Sequence, residues 1–200
     1  MKYWEDIKPG DTSTLGSYTV TAEEIIAFAK KYDPQPFHLD EEAARRTIFG
    51  GLIASGWHSC AIMMRLSVDA MRREEMAGVG SPGIDSCRWH KPVRAGDTVT
   101  VRTEITETWP SRTKPLGFVR RKAEMLNQHG EVVLTVIGVG MFSRRADQLG
   151  EPPPKARGAD QSGESPPNVR GADQSGEPQP KARRADQSGE PQPKARRADT

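Results

Sequence analysis

Long apolar runs are missing from this chain. None approaches the ~20 residues that a membrane span needs, and the opening Met1-Lys2-Tyr3-Trp4-Glu5-Asp6 carries acids where a signal peptide carries its apolar stretch. A cytoplasmic protein with no membrane partner is the expectation. Cysteine is scarce. Cys60 and Cys87 make neither a disulfide framework nor a zinc set, so both read as reduced, small core residues, and no metal site is expected. An excess of one charge is also lacking: 29 Lys and Arg stand against 27 Asp and Glu with the signs interspersed, which gives no strong field for nucleic acid. Aromatic residues are only 6% of the chain, and none lies beyond Phe142.

That last asymmetry divides the sequence. Beyond residue 143 the only large apolar side chains are Leu149 and Val169, while Ala-Asp-Gln recurs at 146, 159, 172 and 185, with a period of 13. The repeated unit contains Gly and Pro and has nothing to bury, so it cannot offset its own ordering entropy. Residues 144–200 are therefore expected to be a disordered low-complexity tail. Residues 1–143 are expected to fold as one domain, which at this size hides roughly 68% of the surface of its unfolded chain.

Within 1–143, Pro9-Gly10-Asp11 signals a turn, and Ser17 to Val20 reads as a strand. Thr21 and Glu24 have the spacing of a capping box, with Ile25, Phe28, Ala29 and Tyr32 on one face of the helix that follows. Pro34 and Pro36 stop that helix, and Asp40 caps a short one. The glycines of Ile48 to Ile53 make a loop leading to Ser55-Gly56, where a long helix begins and runs to about Glu75. Trp57, Cys60, Ala61, Met64, Val68 and Met71 form its apolar stripe, and Ile62, Met63 and Leu66 extend it, so this helix is expected to be surrounded by protein. Four strands follow, over 84–92, 98–105, 118–126 and 132–142. The order implies an α+β fold: an antiparallel sheet wrapped around a long central helix.

The segment Asp33-Pro34-Gln35-Pro36-Phe37-His38 carries the chemical signal. Two prolines stiffen the backbone on either side of Gln35 and hold a carboxylate and an imidazole at a fixed separation, which suits proton transfer. The alternative is a helix-ending loop, with Asp33 a local cap and His38 a packing histidine. Gly50, Gly51 and Gly56 allow close approach of a ligand, and the N–H groups at the helix start around Gly56 can receive an oxygen that develops negative charge. Alternatively these glycines only turn and pack the chain.

Residues 33–57 resemble the signature of the MaoC-like dehydratases, the (R)-specific enoyl-CoA hydratase family: Asp, one residue, Asn, Pro, an apolar residue and His, then a His-Gly pair opening the central helix. Asp33, Pro36, Phe37, His38 and Gly56 match. Gln35 replaces the Asn, Ser55 replaces the second His, and Met64 stands where some members have a serine. The resemblance implies a hot dog fold over residues 5–143. It also implies reversible hydration of a trans-2-enoyl-CoA to an (R)-3-hydroxyacyl-CoA, with Asp33 and His38 holding the water and Gly56 N–H polarising the thioester carbonyl. Gln35, Gly51, Ser55 and Trp57 are the expected substrate-binding residues. CoA is part of the substrate, so no cofactor is implied.

A homodimer is expected, because open sheet edges need cover and the resembling family places its acyl pocket at a dimer interface. A hot dog thioesterase is the rival activity, although Asp69 and Glu74 lie towards the far end of the helix. A non-catalytic acyl-CoA binder is the third reading. His58 is expected to pack beside Trp57, His90 to end a strand and His129 to sit in a turn. Arg112, Lys114 and Arg120 to Lys122 are read as surface charge, the alternative being contact with CoA phosphates.

Overall fold

The computed structural model describes residues 1–145, and the expected tail beyond Arg145 lies outside the described residues. A 3-10 turn at Trp4–Asp6 precedes strand β1 (Thr12–Thr19) and helix α1 (Ala22–Tyr32). Thr21 caps α1 by accepting from Glu24 N–H, and Glu24 reaches back to Thr21 N–H, the reciprocal box read from the sequence. Two short helices follow, α2 (Pro36–Leu39) and α3 (Glu41–Arg45). Pro36 opens α2 as well as ending what precedes it, because a first-turn proline loses no helical hydrogen bond. Asp40 caps α3 through Ala43 N–H at 2.7 Å.

The long helix α4 (Gly56–Arg73) leads to strands β2 (Gly78–Trp89), β3 (Thr98–Pro110), β4 (Leu116–Leu126) and β5 (Val132–Ser143). The five strands form one antiparallel sheet in the order β1-β3-β4-β5-β2. Several strands differ in extent from the expectation. β2 begins at Gly78 rather than Ile84, because bulges let its glycine-rich start follow β5.

The main core joins one face of α4 (Ile62, Met63, Leu66, Ala70) to Val99, Val101, Met125, Val133 and Leu134 of the sheet and to Ile25 of α1. α4 is not enclosed on all sides. Its expected stripe is largely the outer face: Trp57 and Met64 are exposed, whereas His58, Ser59 and Ser67 are buried. Apolar residues all round the helix do not specify which face meets the sheet. Buried hydroxyls are accommodated where they are bonded, as Ser67 is by donating to Met63 O at 2.8 Å. Tyr32 is likewise exposed, at the last residue of α1. Cys60 and Cys87 are free and only partly buried, with sulfurs 3.7 Å apart.

The domain extends past residue 143. Arg144 donates to Glu5 at 3.2 Å and its guanidinium lies over the Trp4 ring, while Arg145 binds Asp6 at 2.7 Å. The last two described residues, both cations, thus clamp the first turn of the chain.

Candidate active site

α1 ends at Tyr32, so Asp33 stands at its C-cap, and α2 carries His38 on its single turn. Their side chains meet: His38 Nε2 is 3.4 Å from Asp33 Oδ2. His38 is 4% exposed, and its Nδ1 lies 2.8 Å from the carbonyl oxygen of Ile53. A carbonyl only accepts, so Nδ1 carries the hydrogen. In the neutral ring, Nε2 then presents its lone pair towards Asp33.

Asp33 is held on both oxygens. Oδ1 accepts from Gln35 Nε2 at 2.8 Å, and Oδ2 accepts from Ser55 Oγ at 2.7 Å. These two bonds, Ser55 first, hold its carboxyl below the usual carboxylate range; burial opposes them and the His38 ring supports them. Asp33 is therefore an acceptor, and His38 Nε2 is the site able to take up a proton.

Ser55 is fully buried and works twice. Its hydroxyl donates to Asp33 and also accepts from Trp57 N–H at 3.2 Å, capping α4. Gly56 is the first residue of α4, and its N–H has no acceptor among the described residues. The Trp89 indole covers the other side: its Nε1 donates to Gly56 O at 2.9 Å, and a Cβ on Gly56 would lie 2.7 Å from that ring. Only glycine fits there without displacing the indole.

The structure thus brings together Asp33, Gln35, His38 and Ser55, with Gly56 adjoining. Gln35 and Ser55, expected to bind substrate, both hold the Asp33 carboxylate. Gly51 stands apart. It is buried, and a Cβ there would come within 3.3 Å of Arg94 and 3.4 Å of Glu41. Trp57 is 62% exposed, edge-on to Trp89 at 5.6 Å. His58 does not pack beside Trp57; it is buried and stacks on Phe28 at 4.7 Å. Burial lowers its pKa against an opposing effect of Glu24, and its Nδ1 has no hydrogen-bond partner among the described residues. Trp89 and the Ile53 carbonyl were not legible as site elements, since their contacts span 33 and 15 residues.

Residues 8–125 match the family described as MaoC like domain. Over 114 residues, 56% of this chain and 75% of the relative, the sequence is 32% identical to an (R)-specific enoyl-CoA hydratase of Rhodospirillum rubrum. It is 35% identical over 102 residues, 50% of this chain, to Protein MaoC of Klebsiella aerogenes, a match that spans only 30% of that longer protein. Among solved structures, a MaoC-like dehydratase from Rhodospirillum rubrum superposes with a TM-score of 0.66 at 39% identity, covering 72% of this chain and 99% of the other. The sheet and α4 are those of the hot dog fold shared by such neighbours.

Replacing Ser55 with Ala removes the leading cause of the low Asp33 pKa. Asp33 then protonates at higher pH, so the acid limb of the kcat/KM profile should move to higher pH, with a helix-cap loss of ~1 kcal/mol. An acid limb left in place in Ser55→Ala would show that Asp33 does not govern it.

Proposed function

The chain belongs to the MaoC-like dehydratase family, and from that premise we propose that it hydrates a trans-2-enoyl-CoA reversibly to an (R)-3-hydroxyacyl-CoA. The observation that carries this reading is the Asp33–His38 pair, an ionised acceptor beside an imidazole whose tautomer is set by Ile53 O.

A water hydrogen-bonded to both Asp33 Oδ2 and His38 Nε2 closes a triangle on that pair. As its oxygen bonds to C3, one proton passes to His38 Nε2, and the C2=C3 electrons move toward the thioester carbonyl. Gly56 N–H receives the growing charge on the carbonyl oxygen. The imidazolium, steadied by the Asp33 carboxylate, returns the proton to C2, so the elements of water add across the double bond and His38 is regenerated. An acid–base partner of this kind is typically worth ~10²–10⁴ in rate, and an oxyanion donor ~10²–10³.

The rival thioesterase needs a carboxylate along α4. Asp69 is paired with Arg65 at 2.7 Å and Glu74 with Lys2 at 3.0 Å, both towards the far end of that helix. The acyl site further draws on a second copy of the chain, in this reading. The exposed Trp57 and Met64 of α4 and the exposed Val79, Ile84 and Trp89 of edge strand β2 are apolar surface that a two-fold partner would cover.

Incubation with crotonyl-CoA should remove the conjugated enoyl absorbance without releasing thiol. Asp33→Asn and His38→Ala should each lower kcat/KM at least ~10²-fold, Asp33→Asn with unchanged melting. Thiol release would identify a thioesterase, and no reaction at all would identify a binder. Light scattering of the full chain at micromolar concentration should give a dimer or a multiple of it; an active monomer would contradict the shared pocket.

A further inference from the structure

The run Arg120-Arg121-Lys122 reads as surface charge, and the structure splits it. Arg120 binds Asp85 at 3.0 Å, pairs with Glu107 and lies over the Trp109 ring at 5.2 Å. Lys122 pairs with Glu124 at 2.7 Å. Arg121 takes the other face. The pairing of β4 with β5 runs without a register shift from Gly117 to Met125, so Val119, Arg121, Ala123 and Met125 share one side of the sheet, and its three companions are buried. That is the side the core of α4 covers.

Among the described residues Arg121 has no hydrogen bond from its side chain, no ion pair and no ring contact, so all five guanidinium donors are idle. Burial alone depresses its pKa, and no acid offsets it. A guanidinium stays charged in a protein, and an unpaired charge in such a place is costly. The residue nevertheless keeps part of its surface exposed. Its neighbour on β5 is Gly138, which brings no side chain against it and where a Cβ would crowd Gly83 O at 3.4 Å.

The position relative to the chemistry follows from the strand rows. Trp89 bonds Gly56 O and shares a row with Leu134 and Met125, at the start of α4. Two residues on, Cys87 pairs with Val136 and Val136 with Ala123, and Cys87 lies against Cys60, one helical turn along. Two further residues reach Gly138 and Arg121. Four residues of strand span roughly 13 Å, and the long arginine side chain covers part of that distance. An acyl group whose carbonyl sits at Gly56 and whose chain follows α4 would end at this cation.

We propose that Arg121 receives a carboxylate at the far end of the acyl chain. The substrate would then be the CoA thioester of a 2-enoic acid bearing a second, terminal carboxylate. This rests on the hydratase reading and names the substrate class for the same site. The paired guanidinium donors suit a carboxylate in two-pronged contact, while an alkyl terminus would leave the charge buried and unmatched.

The test compares trans-2-hexenedioyl-CoA with trans-2-hexenoyl-CoA, equal in carbon number and different only in the terminal group, and the same pair at eight carbons. The full-length protein should favour a diacid thioester at least ~10-fold in kcat/KM. Arg121→Met should lose ~10²-fold or more on it, with hydration of the alkyl thioester unchanged or improved, and Arg121→Lys should keep part of the preference. Independently of turnover, adipate should raise the melting temperature of the native protein and leave that of Arg121→Met unmoved. A preference for the alkyl substrates, an equal loss on both, or a melting temperature that falls sharply in Arg121→Met would overturn the proposal, the last by showing a structural partner such as an acid of a second copy. Should neither thioester react, the hydratase reading fails, and the adipate shift alone decides whether Arg121 is a carboxylate site.

Discussion

The Ser55 hydroxyl sits where three requirements meet. It caps α4 by accepting from Trp57 N–H, it donates to Asp33 across 22 residues of chain, and it is fully buried while doing both. Because that bond is the leading cause of the low Asp33 pKa, the same hydroxyl that starts the helix also favours the ionised form of the carboxylate. His38 is then oriented at both nitrogens, with Nδ1 on Ile53 O and Nε2 facing the Asp33 oxygen that Ser55 holds. The Ile53–Ala54 strip is itself fastened to the chain before β3, through Ala54 N–H on Val93 O at 2.8 Å. Asp33, His38 and the start of α4 are therefore one connected unit.

The outer face of α4 has a different task. A sheet curled over one helix face leaves the opposite face and the β2 edge uncovered, and both carry exposed apolar side chains. The inner face carries the unusual features: a bonded serine, a buried histidine stacked on Phe28, and an arginine without a partner among the described residues. Polar groups with partners are ordinary core chemistry. The arginine without a partner among the described residues is what distinguishes this interior from a plain hydrophobic core, and the proposed carboxylate contact rests on it.

Local signals were legible in the sequence. The Thr21–Glu24 box, the Asp40 cap, the start of the long helix at Gly56 and the Asp33-to-His38 spacing each lie within one short stretch, and each is where the structure has it. Contacts made through tertiary approach were not. The Trp89 cover on Gly56 and the Ile53 carbonyl on His38 depend on strand and loop placement. The orientation of α4 was misread because apolar residues occupy both its faces. Arg121 was misread because three adjacent cations look like a solvated run, although strand alternation turns the middle one to the side of Val119, Ala123 and Met125.

The dependence of the acid–base pair on Ser55 is open to a double-mutant cycle on crotonyl-CoA hydration, combining Ser55→Ala with Asp33→Asn and reading kcat/KM at one pH. If Ser55 acts through Asp33, its replacement costs much in the native background and no more than about threefold once Asp33 is already Asn. Losses that multiply independently would mean that Ser55 and Asp33 serve the reaction by separate routes, and that the Ser55 hydroxyl is not what holds the carboxylate in its working state.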